Sequence, residues 1–320
     1  MGRRVLELMP LALLGMALGT VPGEAAVPAQ PGSVNYVEGK VLVAGRPVTQ
    51  RDLGNATVPE GGIVATEHGK VEVLLTPGVV LRLGDNSQAR LNSESLTDTR
   101  VSLLAGQAMI EADQLYPENH IVIAQGNGTT TLRKAGLYRF DAAGTAMSVL
   151  KGEATVNLDG RNIKVKSDHQ LIFADARLKP HKFGRAEHDE LYAWSQLRSD
   201  YSAQASEQTA AVLISGGPGW FGTGWYWDPA FDMYAFVPGD GFFYGPFGYP
   251  FYSPYYALYW GGGPWFYGGG GRWHGGRYYH GSPAHVAHGP FRGGNVARGF
   301  HMGAAPHFGG GMGFHGGGRR

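Results

Sequence analysis

From about Ser33 to Ala176 the chain consists of short runs of Val, Leu, Ile and Thr broken by Gly, Asn and Asp. Such spacing leaves little room for helices and predicts a mainly β unit, a rolled sheet or β-sandwich of many short strands. Val71-Glu72-Val73-Leu74-Leu75 and Val79-Val80-Leu81-Arg82-Leu83 flank Thr76-Pro77-Gly78, where Pro presets one backbone angle and Gly78 supplies a positive one, so a hairpin is expected. A second hairpin is expected from Leu137–Phe140 and Met147–Leu150 around Asp141-Ala142-Ala143-Gly144. Ile163-Lys164-Val165-Lys166 alternates as a half-buried strand does.

A weak repeat, apolar-x-Gly-polar-apolar, recurs at Gly39, Gly106 and Gly152, each expected to bend or bulge a strand. Its unequal spacing argues against a regular solenoid. With Gly61 and Gly78 these are the glycines expected to matter structurally.

After Arg177 the pattern changes. Residues 187–208 hold no Gly or Pro, and Leu191, Trp194, Leu197 and Tyr201 fall at helical spacing, so one amphipathic helix is expected with these four residues covering the β unit. Glu187, Asp189 and Glu190 suit the positive end of its dipole. Trp194 reads as a packing residue rather than a ligand platform. Residues 215–267 are rich in Gly, Pro and aromatics with no steady period, and residues 268–320 are rich in Gly, His and Arg. The last part buries too little apolar surface to offset its ordering entropy and is expected to be a disordered, low-complexity tail.

The N-terminus carries Arg3 and Arg4 before an apolar run from Leu8 to Gly19 and small residues at Gly23, Ala25 and Ala26. This is the pattern of a signal peptide over residues 1–26, cleaved after Ala25 or Ala26, which places the mature chain in the periplasm or cell envelope. An uncleaved anchor is the alternative, and the apolar run is short for it. Glu7 and the residues around the arginine pair fit general secretion better than twin-arginine export. Cysteine is absent, which excludes disulfides, thiol catalysis and a lipidated cysteine. A net charge of +1 offers no field to attract nucleic acid.

Gly61-Gly62-Ile63-Val64-Ala65-Thr66, Val71-Glu72-Val73-Leu74 and Thr76-Pro77-Gly78-Val79-Val80-Leu81-Arg82-Leu83 together resemble the central signature of FecR domains. Gly39-Lys40-Val41 and Val101-Ser102-Leu103-Leu104-Ala105-Gly106 resemble its framing elements, so the likeness covers roughly residues 34–175. Gly62 stands where that family commonly has an acidic residue. The segments Leu191–Arg198 and Gly224–Pro229 resemble, more loosely, the region C-terminal to the domain in free-standing FecR-like proteins. The resemblance implies a periplasmic domain that relays a signal from an outer-membrane receptor toward a sigma factor. Only Met1 to Glu7 precede the apolar run, so no sigma-factor-binding segment is expected ahead of it.

A nucleophile elbow, a phosphate-binding loop and a zinc-protease helix are missing from the sequence, so no catalytic residue, cofactor or metal is expected. The carboxylate pairs Glu94 with Asp98 and Asp189 with Glu190 read as solvated surface. His285 and His288, with His274, His280, His301, His307 and His315 around them, could gather a transition metal only weakly on a flexible chain. Arg292-Gly293-Gly294 between Phe291 and Phe300 is a single copy of a pattern that single-stranded nucleic acid binders repeat.

Trp220, Trp225, Tyr226, Trp227, Tyr255, Tyr256 and Trp260 are the candidate partner-binding residues. Three readings stay open for them: self-association, stacking on envelope polysaccharide, and packing over the β unit. The function expected is that of an exported, non-enzymatic envelope protein whose β domain binds a ligand or partner and whose tail associates with an envelope protein, a polysaccharide or another copy. The alternatives are a periplasmic sensor or assembly partner whose membrane and cytoplasmic parts lie on other chains, and a glycan-active enzyme, which would need two cooperating carboxylates in one cleft.

Overall fold

The computed structural model describes residues 29–183, 189–215 and 222–259. The expected signal peptide, Trp220, Trp260 and the Gly/His/Arg tail with its histidines and Arg292 therefore lie outside the described residues.

The β unit is built from β1 (Val34–Val43), β2 (Arg46–Val48), β3 (Ile63–Thr76), β4 (Val79–Leu83), β5 (Gln88–Glu94), β6 (Asp98–Ala105), β7 (Gln107–Ala112) and β8 (His120–Gln125). It continues with β9 (Gly128–Leu132), β10 (Gly136–Asp141), β11 (Ala146–Lys151), β12 (Glu153–Leu158), β13 (Arg161–Lys166), β14 (His169–Ile172) and β15 (His181–Lys182). All belong to one hydrogen-bonded sheet, in the order β13-β12-β9-β8-β6-β5-β3-β4-β7-β10-β11-β14-β15, with β1 on β3 and β2 on β1. The pairs are antiparallel except β6 with β8, which runs parallel. Strand β13 comes against β11 and β14, so the sheet rolls upon itself. Val71, Val73, Leu75, Leu81, Val101, Ile110, Ile123, Phe140, Val156 and Val165 fill the inside.

Both expected hairpins are present. Val73 pairs with Leu81 and Glu72 with Arg82 across β3 and β4, with Gly78 at φ +82° in the turn. Strands β10 and β11 pair Phe140 with Met147. In β13 Val165 is buried while Lys164 and Lys166 are exposed. Gly39 lies at a register shift in β1 at φ +68°, where an added Cβ would run into the His68 carbonyl. Gly106 and Gly152 each separate two successive strands, β6 from β7 and β11 from β12.

The two ends of the sheet differ in burial. In β5, β12 and β13 exposed and buried residues alternate, but from Gly69 to Thr76 in β3, and from Ala108 to Ala112 in β7, every residue is buried. The second face there is covered by α1 (Glu190–Ser215), the hairpin of β16 (Gly224–Asp228) and β17 (Met233–Val237), the hairpin of β18 (Phe242–Tyr244) and β19 (Pro250–Tyr252), and α2 (Pro254–Tyr259). The aromatic segment thus forms two short hairpins and a short helix, although Gly and Pro break its periodicity.

The helix differs from expectation in extent and in the face it buries. It runs to Ser215 because no Gly or Pro intervenes and Ala203, Ala205, Ala210 and Ala211 favour helix. Leu191 and Trp194 are buried as expected, but Leu197 is 51% and Tyr201 42% exposed. The inward stripe instead continues through Ser195, Arg198, Ser199, Ala203, Ser206 and Ala210. Long apolar side chains would not satisfy what lies beneath, because that sheet face presents charge.

Candidate functional site

In β3 the alternation that sends Val71 and Val73 inward sends Glu72 to the other face, and Arg82 stands opposite it in β4. Arg82 donates from Nε to Glu72 Oε2 at 2.7 Å and from Nη1 to Glu111 Oε2 on β7 at 2.6 Å. All three side chains are at most 1% exposed. Helix α1 completes the group: Arg198 Nη2 donates to Glu72 Oε1 at 3.3 Å and Ser199 Oγ to Glu111 Oε1 at 2.7 Å. The Arg198 guanidinium also lies 4.0 Å from the centre of the Tyr36 ring. Asn35 of β1 donates to Glu72 Oε1 at 2.9 Å and to the Tyr234 carbonyl at 3.2 Å, and it accepts from the Tyr234 amide at 2.7 Å. One buried cluster therefore binds the β unit, α1 and the aromatic hairpin β16–β17.

The charges balance, two carboxylates against two guanidiniums, as burial demands. Burial alone would raise the Glu72 carboxyl, but the charges of Arg198 and Arg82, with hydrogen bonds from Arg82 and Asn35, hold it at about 2. Burial opposes the charge on Arg82, and the two glutamates overcome it and hold its proton more tightly than usual. Nearby, burial and then the Glu111 carboxylate push the Asp113 carboxyl well above the usual range, favouring its protonated form. The cavity beside the cluster, lined by Asn35, Arg82, Asp113, Ser202, Trp225 and Tyr234 among others, measures about 10 Å³. That is the space of about one water molecule, and the bonds of the cluster clamp α1 and the β16–β17 hairpin to the sheet.

Polar contacts extend the clamp along α1. Trp194 Nε1 donates to Glu38 Oε2 at 2.9 Å, Lys70 pairs with Glu190 at 2.6 Å, and Arg139 pairs with Asp189. Trp194 is buried with Met109, Leu137 and Leu191, its ring 6.2 Å from that of Tyr36. Asp189 and Glu190 are partners of basic residues on the sheet, Glu190 remaining 77% exposed as a surface group, and Asp98 pairs with exposed Arg100.

The candidate partner-binding aromatics separate. Trp225 packs on Ala203, Phe236 and Phe251, and Tyr226 on Ala210, Val237 and Ala257. Trp227 packs against the main core, 5.0 Å from the Tyr234 ring. Tyr255 is 57% exposed, and Tyr256 stacks on Phe242 at 5.2 Å. Among the described residues no group of three or more His, Asp or Glu is placed to hold a metal.

Sequence reasoning did not single out Asn35, Glu111, Arg198 or Ser199. Glu72 and Arg82 entered only as letters of a motif, though their positions on either side of the Thr76-Pro77-Gly78 turn make them cross-strand partners.

A rolled, mainly antiparallel β unit clamped to a C-terminal helix defines a mainly β domain with a covered and an open face. Residues 62–155 match the family described as FecR protein, and the chain carries a FecR domain there. Two crystal structures, each provisionally described as of an anti-sigma factor from Parabacteroides distasonis, are also similar. One shares 14% identity over 42% of this chain and 64% of that one, the other 11% over 56% and 99%, each with a TM-score of 0.35. The chain thus spans less than two thirds of the first. No curated protein matches the chain. No helix among the described residues is long and apolar enough to cross a membrane.

Proposed function

We propose that this chain is an exported, non-enzymatic interaction protein of the cell envelope, with the FecR domain as its binding module. The observation that carries the reading is the asymmetry of the sheet. The face bearing Glu72, Arg82 and Glu111 is closed by the chain's own helix and hairpins. The far end of the sheet keeps an open polar surface with Arg90, Asn92, Arg100, Thr129, Arg133 and Lys164 exposed. Such a surface is not needed for the core, and with Arg100 paired to Asp98 and Lys164 to Glu153 it suits a polar partner of mixed charge.

The FecR match favours one further reading, that of a sensor or assembly partner whose membrane and cytoplasmic components lie on other chains. Both readings are tested by expressing the full chain in a Gram-negative host, sequencing the N-terminus of the mature protein, and cross-linking it in envelope fractions. Cleavage near Ala25 and a cross-linked species lost in an Arg90→Glu/Arg100→Glu/Lys164→Glu variant are expected. Retention of Arg3 and Arg4, or cross-links indifferent to the charge reversals, would overturn the assignment.

A further inference from the structure

Asp113 stands at the seam between the sheet and the aromatic hairpins. It follows β7 directly, its amide held by the Gly78 carbonyl at 2.7 Å. The residue is half-buried, but its Oδ1 is shielded from solvent and meets no donor among the described residues. That oxygen lies against Gly245, between β18 and β19, so closely that a Cβ there would run into it. Trp225 Nε1 on β16 is likewise buried without an acceptor, and Asp113 and Trp225 line the same cavity of about 10 Å³. An acceptor and a donor are thus stranded where both hairpins meet the sheet.

Charge makes this seam sensitive to a single proton. Asp113 is faced by Glu111, two residues earlier on its own strand, by Glu72 of β3 and by Arg82 of β4. Helix α1 brings Arg198 to Glu72, Ser199 to Glu111 and Ser202 to the cavity, with Asp200 near Tyr249. The hairpins line the cavity with Trp225, Tyr234, Phe236 and Phe251, none of them charged. Glu72 and Glu111 already balance the two guanidiniums, so an ionised Asp113 would be a third carboxylate for two cations, at a place that offers it no direct donor. Protonated, its hydroxyl can donate to Glu111, and one water in the cavity can donate to Oδ1 while accepting from Trp225 Nε1.

We propose that Asp113 is a proton-operated latch, which in its acid form closes the two aromatic hairpins onto the sheet and on ionisation releases them. With the hairpins open the carboxyl meets water and titrates at its ordinary 3.8, whereas burial and then the Glu111 charge hold it well above that when closed. Each pH unit between the two values therefore favours opening about tenfold. The closing contribution is fully present below about pH 3.8 and is lost as pH rises through the closed-state value, the reverse of the Glu72 contribution. Opening uncovers Phe236 and Phe251, which are buried in the closed form, so loss of a proton becomes exposure of apolar surface. The inference depends neither on export nor on the partner surface proposed above.

Asp113→Asn tests this, since it keeps the shape and a donor for Glu111 but cannot ionise. The full-length wild type and variant are compared by thermal unfolding from pH 4 to pH 8. The variant's melting temperature should gain on that of the wild type by at least about 5 °C over this range, because the other titrating groups are common to both. At pH 8 chymotrypsin should cleave within 224–252 at least about tenfold faster in the wild type, with cuts mapped by mass spectrometry and those in 34–176 equally slow in both. The ratio should shrink at pH 6. If the asparagine variant does not fold, Asp113→Ser, which cannot ionise either, gives the same comparison of pH slopes. A difference in melting temperature that stays constant from pH 4 to pH 8, or equal cleavage within 224–252, would overturn the proposal. Faster wild-type cleavage spread evenly over 34–176 would overturn it too, because the proton would then govern the whole fold and not a latch.

Discussion

Replacing Arg198 by Ala probes the clamp most directly. Glu72 titrates at about 2 in the folded chain against an ordinary 4.5. A carboxyl displaced that far contributes roughly 3 kcal/mol at neutral pH, shared among Arg198, Arg82 and Asn35. Removing Arg198 leaves Glu72 buried with Arg82 already divided between two carboxylates, and it strips the guanidinium from the Tyr36 ring. A loss of about 2–3 kcal/mol is expected, toward the lower end of what breaking a buried pair costs because Arg82 and Asn35 remain. For a unit of this size that is a fall of roughly 5–10 °C in melting temperature. The sign of the pH dependence follows from the depressed value. The stability it contributes is fully present above pH 4.5 and is lost as pH falls toward 2. The gap between wild type and variant should therefore shrink to about half on going from pH 7 to pH 3. Thermal unfolding followed by circular dichroism at both pH values measures this. Adding Glu72→Gln should restore part of the loss at pH 7, since the uncompensated charge is then gone. A variant within 2 °C of wild type at pH 7, or a gap that does not narrow in acid, would refute the clamp.

Two further substitutions separate the inward from the outward face of α1. Trp194→Ala removes a buried indole and its hydrogen bond to Glu38, so a loss of about 3–5 kcal/mol is expected in denaturant unfolding; an unchanged midpoint would mean that the helix is not docked through this residue. Leu197→Ser/Tyr201→Ser changes two exposed side chains and should shift stability by no more than about 0.5 kcal/mol each, a larger loss in the same assay indicating that they pack inward.

How far the sequence reaches depends on whether the relevant physics is local. The Thr76-Pro77-Gly78 hairpin, the alternating strand at Ile163–Lys166 and the Gly-marked bends were all legible, because turn chemistry and the two-residue period act over a handful of positions. The existence of α1 was legible for the same reason. Which of its faces turns inward was not: helical spacing pointed to Leu197 and Tyr201, and the structure buries Arg198, Ser199 and Ala203 beside them. The partner of Arg198 is Glu72, 126 residues away in the chain, and no window of hydrophobicity can register a charge that becomes buried only when two distant segments meet. The same holds for the aromatic segment. Its composition marked it as adhesive, but only the docking of Trp225, Trp227 and Phe251 against α1 and the sheet decided which rings are spent on packing and which, Tyr244 and Tyr255 foremost, remain exposed.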